Sequence, residues 1–312
     1  MKRAARPSER RSEEGAALLA VLAMVLLLAG FASLGLSRLR AATDRITDAE
    51  GRAEAQILAN SGATAALGLI HQLKAQSRNN PALLQKPMRV PLGEGQVELK
   101  FTDGGNCYNL NSLVRPQATA STGEMQAQSR AADFARLLAA TGIPSIEAST
   151  VAQATASRLS QTGMLLADAS EWVTVPGVTA KHWQLAGPLL CALPTREVTA
   201  VNINSLTPDQ APLLTAMGMG VDEARRAISA RPPEGWNSAG DFWQQTSANN
   251  MPDTAGAETL GVSSRWMALT VIARTANAAV GRDLLLDTSR QPARVAASRW
   301  IAVEEAMPEE QP

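Results

Sequence analysis

The sequence predicts an α+β fold: a long N-terminal helix, a small antiparallel sheet, and a large helical section inserted within the sheet. Three observations predict it. No proline occurs between Pro7 and Pro81, and that stretch contains 21 consecutive uncharged residues, Ala16–Leu36. Apolar and polar residues alternate near 88–103 and again from Trp266 onward, as half-buried strands require. Between them lies a long section, roughly 118–260, with helical periodicity, in a chain whose abundant Ala, Ser, Thr and Gln pack helices more readily than large sheets.

With 312 residues the chain has enough length for one large or two ordinary domains. Its 29 basic and 29 acidic residues cancel, which argues against a general polyanion binder and leaves a local patch open. No HExxH, CxxC, GxSxG or GxxxxGK[ST] pattern occurs, so no catalytic residue is assigned and no enzyme is expected. The two histidines, His71 and His182, are far apart and read as core or surface residues rather than ligands.

The N-terminal element begins with Lys2, Arg3, Arg6, Arg10 and Arg11, opposed by Glu9, Glu13 and Glu14, before Gly15. As a helix, Ala16–Leu36 spans about 31 Å, the hydrocarbon thickness of a bilayer. The basic flank predicts a cytoplasmic N-terminus, with the rest of the chain across the membrane. A secretory signal peptide has a shorter apolar run and a small-x-small cleavage site, whereas this run continues to Arg38 and Arg40. An ordinary signal anchor fits. The segment also resembles the leaders of type IV pilin-class subunits, which are cut directly after a Gly that ends a short charged leader. Here the cut falls between Gly15 and Ala16, with Ala16 as the methylated mature N-terminus. Such subunits usually carry Glu at the fifth mature position, and here that position is Ala20.

Beyond the membrane, Leu39, Ile46, Ala53, Ile57, Leu67 and Ile70 recur at spacings that predict one packed helix face. A helix from about Ala16 to Lys74 is close to 90 Å long, and Gly51, Gly62 and Gly68 are sites for a bend. SRNNP at 77–81 ends it. In 88–103, Val97, Leu99 and Phe101 alternate with polar residues, and GEG at 93–95 reads as a hairpin loop. Later strands are expected at Trp266–Arg274, Asp283–Asp287 and Arg294–Val303, with AVGRD (279–283) turning the first into the second. The end of the chain, 306–312, is expected to be a flexible tail.

A weak repeat marks the middle. TVPGVTAKHWQLAGPLLCALP (174–194) and TAMGMGVDEARRAISAR (215–231) each place a small-residue turn before a helix-period stretch. Thr207 is a candidate N-cap with Pro208 at the first helical position. The layout resembles helix-hairpin-helix, or SAM-like, modules, and "VNIN" before such a hairpin occurs in competence-type DNA receptors. Phosphate binding rests on Lys and Arg. From Glu197 to Asp241 only Arg225, Arg226 and Arg231 oppose six carboxylates, a net −3, and Asp222 and Glu223 directly follow the glycine turn. No nucleic acid is therefore expected. Trp236, Phe242 and Trp243 read as core.

Cys107 and Cys191 are the only cysteines. With both outside the cytoplasm a disulfide between them persists; two buried thiols are the alternative. FTDGGNCYNLNSL (101–113) offers Asx-turns that lead the chain from strand to insert. The same oxygens are potential Ca²⁺ ligands, without the alternating EF-hand spacing.

Taken in order, the Gly15 junction without its Glu, FTDGGNCYNLNSL, ALPTREVTAVNIN (192–204) and the two SAM-like units resemble one family, the minor pseudopilin called protein K of the type II secretion system. The resemblance implies a pilin-like fold divided into a leader (1–15), transmembrane helix (16–36), periplasmic spine (37–75), first β region (76–117), two inserted SAM-like units (118–200 and 201–260) and second β region (261–305). It also implies processing by prepilin peptidase and a single-pass inner-membrane location with the bulk periplasmic. The partners it implies are minor pseudopilins I, J and H, at the tip of a pseudopilus that drives export of folded proteins. No cofactor is required; members of the family can bind structural calcium, and no ligand is assigned to residues of this sequence. A competence-like DNA-binding protein and a minor pilin of an adhesive type IV pilus are the alternatives.

Overall fold

The fold comes from a computed structural model that describes residues 7–77, 86–93, 95–114, 120–246 and 259–303, and of 7–16 and 120–127 the backbone alone. The expected break after Ser77, the tail at 306–312 and the first six leader residues lie outside the described residues.

Helix α1 (Pro7–Ser77) runs 71 residues without interruption, about 105 Å. Its C-terminal third packs on a five-stranded antiparallel sheet of order β1-β2-β7-β8-β9. β1 (Met88–Leu92) and β2 (Gly95–Asp103) form the expected hairpin, with Leu92 opposite Gly95 and Gly93 at φ +59° in the loop. β7 (Trp266–Arg274), β8 (Ala279–Asp287) and β9 (Arg294–Ile301) complete the sheet. Val97, Leu99 and Phe101 of β2, Leu269 and Val271 of β7, and Leu284 and Leu286 of β8 point at α1 and bury its apolar stripe.

That stripe differs from the expected face. The buried positions are Gly51, Ala55, Ala59, Gly62, Ala63, Ala66 and Ile70, while Leu39, Ile46, Ala53 and Ile57 are exposed. Only Leu67 and Ile70 of the expected set join the core. The reason is steric. A Cβ added at Gly62 stands 2.6 Å from Val97 Cγ1, so the helix lies too close to the sheet for larger side chains. Gly51, likewise, lies against Asn277 and Ala278. Both glycines serve close approach, in an unbroken helix.

AVGRD is not a turn. The β7–β8 turn is Thr275–Ala278, where the Thr275 N–H donates to the Ala278 carbonyl and the Ala278 N–H to Thr275 Oγ1. Val280, Gly281 and Arg282 are strand residues paired with Ala273, Ile272 and Val271. At Gly281 the small residue makes room for Ile301 of β9, which an added Cβ meets at 2.6 Å.

The insert is one excursion between the adjacent strands β2 and β7, with a second core of its own. It contains α2 (Ala120–Ala140), α3 (Ser145–Thr162), α4 (Ala180–Ala186), α5 (Pro212–Thr215), α6 (Val221–Ser229) and α7 (Ala239–Thr246). Leu110, Leu113 and Val114 already belong to that core, upstream of residue 118. Two short parallel pairs that the sequence does not announce close it. β3 (Tyr108–Asn109) lies beside β4 (Leu190–Cys191), and β5 (Val201–Asn202) beside β6 (Leu260–Gly261). The turn glycines of the two repeats, Gly177 and Gly218, share φ +91°, a conformation glycine adopts without strain. In the first copy a 3₁₀ helix, Ala169–Thr174, precedes the turn; in the second α5 does. Thr207 caps a short 3₁₀ helix, Pro208–Gln210, rather than an α-helix. Trp236, Phe242 and Trp243 are buried core residues, as expected.

Candidate assembly helix and the junction that orients the insert

Two features of the chain have no purpose within its own cores: the N-terminal half of α1, and the position of the insert. The first is built by composition alone. From Ala17 on, α1 holds a window of mean hydropathy 2.6 with none of its residues buried, long and apolar enough to cross a membrane. Gly15 and Ala16 lie within the continuous helix, and Ala20 is exposed on it. No carboxylate lies between Gly15 and Arg38.

The second is built by FTDGGNCYNLNSL. As β2 ends, Asp103 Oδ1 accepts from the Gly105 N–H at 2.9 Å, an Asx-turn that sends the chain out of the sheet. Its other oxygen accepts from Asn202 Nδ2 at 2.8 Å and Ser205 Oγ at 2.6 Å, so one carboxylate joins the sheet to the VNINS segment. Asn106 bonds both ways to the Asn202 main chain and also donates to Ser205 Oγ. Asn109 accepts from the Leu193 N–H and donates to the carbonyls of Thr195 and Glu197. Asn111, fully buried, ties Leu166 and Leu193. These amides satisfy main-chain groups that irregular loops otherwise bury unpaired. Asn and Asp at turn spacing were legible in the sequence; their partners some 55 to 100 residues away were not.

Cys107 and Cys191 form a disulfide, Cα–Cα 5.7 Å, that clamps the same junction alongside β3 and β4. Two arginines add further ties. Arg265 donates bidentately to Asp287, through Nε at 3.0 Å and Nη2 at 2.8 Å, and reaches Glu197 of the insert at 3.3 Å. Hydrogen bonds from that guanidinium, first among several causes, hold the Asp287 carboxyl well below the usual carboxylate range. Arg299 bridges Asp283 of β8 and Asp168 of the insert.

The remaining expected groups are structural. His182 is buried; its Nδ1 accepts from the Thr179 N–H, and its Nε2 faces Glu147 Oε1 at 2.9 Å. Of the three arginines near the glycine turn, Arg231 donates to the carbonyls of Asn204 and Leu206, and Arg225 pairs with Asp222. Asp222 and Glu223 occupy the first turn of α6, where a phosphate would have to sit. Among the described residues no three His, Cys, Asp or Glu side chains converge, and both oxygens of Asp103 are taken by hydrogen bonds.

The insert lies at one end of the spine. Gly51 of α1 meets the β7–β8 turn, whereas Lys74 Nζ, six turns further along, donates to Ser264 O at 2.6 Å and Thr288 Oγ1 at 2.7 Å. Ser264 stands where the insert returns to the sheet. The insert therefore crowns the end of α1 farthest from the apolar run.

Residues 201–263 match the family model for protein K of the type II secretion system. The type II secretion system protein K of Dickeya chrysanthemi is 33% identical over 104 residues, 32% of this chain and 29% of that protein. That of Klebsiella pneumoniae is 26% identical over 327 residues, 94% of this chain and 99% of that protein. In the crystal structure of the GspK-GspI-GspJ complex from enterotoxigenic Escherichia coli, one chain superposes with TM-score 0.66. It shares 22% identity, with 83% of this chain and all of that chain covered; this likeness establishes the fold.

Proposed function

We propose that this chain, which belongs to the protein K family of the type II secretion system, is a minor pseudopilin placed first in its pseudopilus, at the tip. One observation carries the position: the inserted domain crowns the membrane-distal end of the spine. A pilin-type filament grows by adding subunits beneath those already present, so a bulky crown is compatible with the first subunit and obstructs any subunit above it. Ala20 supports the same placement. A carboxylate there compensates the buried N-terminal amine of a neighbour above, and a first subunit has no such neighbour.

On this reading the N-terminus is cytoplasmic, α1 is anchored in the inner membrane, and the sheet and insert are periplasmic, where the Cys107–Cys191 disulfide is stable. The Escherichia coli relative was solved with GspI and GspJ, and we assign partners of that kind to this chain. Its work is structural rather than catalytic. Mass spectrometry of the mature protein is the direct test. A chain beginning at methylated Ala16 is expected, and an intact Met1 would overturn processing. Detection along the whole filament, rather than at one end, would overturn the tip position.

A further inference from the structure

A cavity of about 440 Å³ opens in the insert between α2, the segment around Thr199 and the glycine turn of the second repeat, with Tyr108 and Ser112 on its junction side. Arg130 of α2 lines it, half-buried. Its Nη1 donates to the carbonyls of Ser112 at 2.6 Å and Arg196 at 3.2 Å, which fixes the guanidinium plane. Nε and Nη2, the other edge of the fork, have no hydrogen-bond partner among the described residues. Elsewhere in this chain Arg265 uses the same edge to hold the Asp287 carboxylate bidentately. Burial lowers the Arg130 guanidinium from its ordinary value, as befits a cation whose lost water is incompletely replaced.

The surrounding groups limit what that edge can hold. Among the described lining residues Asp133 is the one acid, and its Oδ1 accepts from Arg136 Nη2, which also donates to the Ala216 carbonyl. Two guanidiniums against one carboxylate leave one positive charge. A single negative charge is therefore complementary, whereas a phosphate dianion over-compensates and meets Asp133. Thr199 Oγ1 is buried in the wall without a partner, a hydroxyl that a carboxylate oxygen would satisfy. Val198, Leu213 and Met217 make part of the wall apolar, and Val198 is 47% exposed.

We propose that this cavity is a recognition site for a protein segment that presents one carboxylate beside an apolar side chain. The carboxylate takes the Nε–Nη2 edge of Arg130 and the Thr199 hydroxyl, and the apolar side chain lies against Val198, Leu213 and Met217. Glutamine in place of glutamate keeps the shape but lacks the charge, so the guanidinium decides the selectivity. The inference concerns the insert alone and stands whether or not the chain occupies the tip.

Tyr108 is the only tyrosine in the chain and lines the cavity, so 3-fluorotyrosine gives the full, detergent-solubilised protein a single fluorine NMR signal at the site. Titration with acetyl-Ala-Leu-Glu-amide, whose carboxylate is a side chain, and with acetyl-Ala-Ala-Leu, whose carboxylate is a chain end, distinguishes the two sources. At least one is expected to shift the signal saturably, with a Kd of about 1 mM or tighter. Acetyl-Ala-Leu-Gln-amide, acetyl-Ala-Ala-Leu-amide and inorganic phosphate should leave it in place. Arg130→Lys keeps the charge, loses the fork and should weaken the response about tenfold. Val198→Glu places a resident carboxylate at an exposed lining position and should abolish the response in a chain that keeps its disulfide. No saturable shift with either acid, an equal response to the amides or to phosphate, or a full response in either variant would overturn the site.

Discussion

Gly62 and Gly68 are six residues apart on one helix and meet opposite surroundings. An added Cβ at Gly62 lies 2.6 Å from the stiff, β-branched Val97, and at Gly68 nothing stands within 4 Å. Gly62→Ala is therefore expected to destabilise by about 1–3 kcal/mol through overpacking, despite better helix propensity, and Gly68→Ala to stabilise by up to about 1 kcal/mol. Urea midpoints of the detergent-solubilised chain check both; equal effects at the two positions would refute the close approach. Asp287 makes a second residue-level prediction. Its carboxyl is depressed in the folded state by Arg265, so its stabilisation is complete above the ordinary aspartate value of about 3.9 and is lost as pH falls below it. Asp287→Asn is expected to lower stability at neutral pH and to flatten the acid limb of a stability profile. A variant whose midpoints parallel the wild type down to about pH 2 would contradict the assignment.

At the scale of elements, the junction after β2 carries the most consequence, because the insert has its own core and joins the sheet through short, irregular connections. The disulfide closes a loop with a sequence separation of 84. Chain entropy gives about 4–5 kcal/mol for such a loop as an upper figure. Substituting both cysteines with serine is expected to cost about 2–4 kcal/mol and to raise proteolysis of the 104–114 and 192–205 segments before that of the sheet. Limited proteolysis with mass mapping reads this, and uniform loss across sheet and insert would show that the clamp acts globally. Strands β2 and β7 were legible because alternation is a local signal. The parallel pairs β3–β4 and β5–β6 were not, since two residues show no period, and their pairing depends on segments some 60 to 80 residues apart meeting at the junction. The turn glycines were legible in type and position because a positive φ is a local demand that glycine answers.

For the whole molecule, the arrangement of anchor, sheet and crown sets a direction: the apolar half of α1 at one end, the insert at the other. Ala20→Glu tests whether the missing carboxylate belongs to that direction. Restoring it is expected to reduce pseudopilus initiation and to lower secretion several-fold while the chain still inserts, read by secreted-protein titre and filament counts. Unchanged secretion would remove the proposed role of Ala20.

By itself the sequence determined that a single long helix carries an uncharged membrane-length run, that strands bracket a helical insert, and where the glycine turns of the first hairpin and the two repeats fall, though not the turn between β7 and β8. Each follows from spacing and residue type within one segment. Only the tertiary structure decided which line of α1 packs inward. Leu39, Ile46 and Ile57 are more hydrophobic than Gly51, Ala55 and Gly62, and pattern alone favours them for the core. The sheet selected the small residues instead, because a nine-residue strand pair at close range excludes bulk. The larger side chains were thereby left on the exposed face of α1.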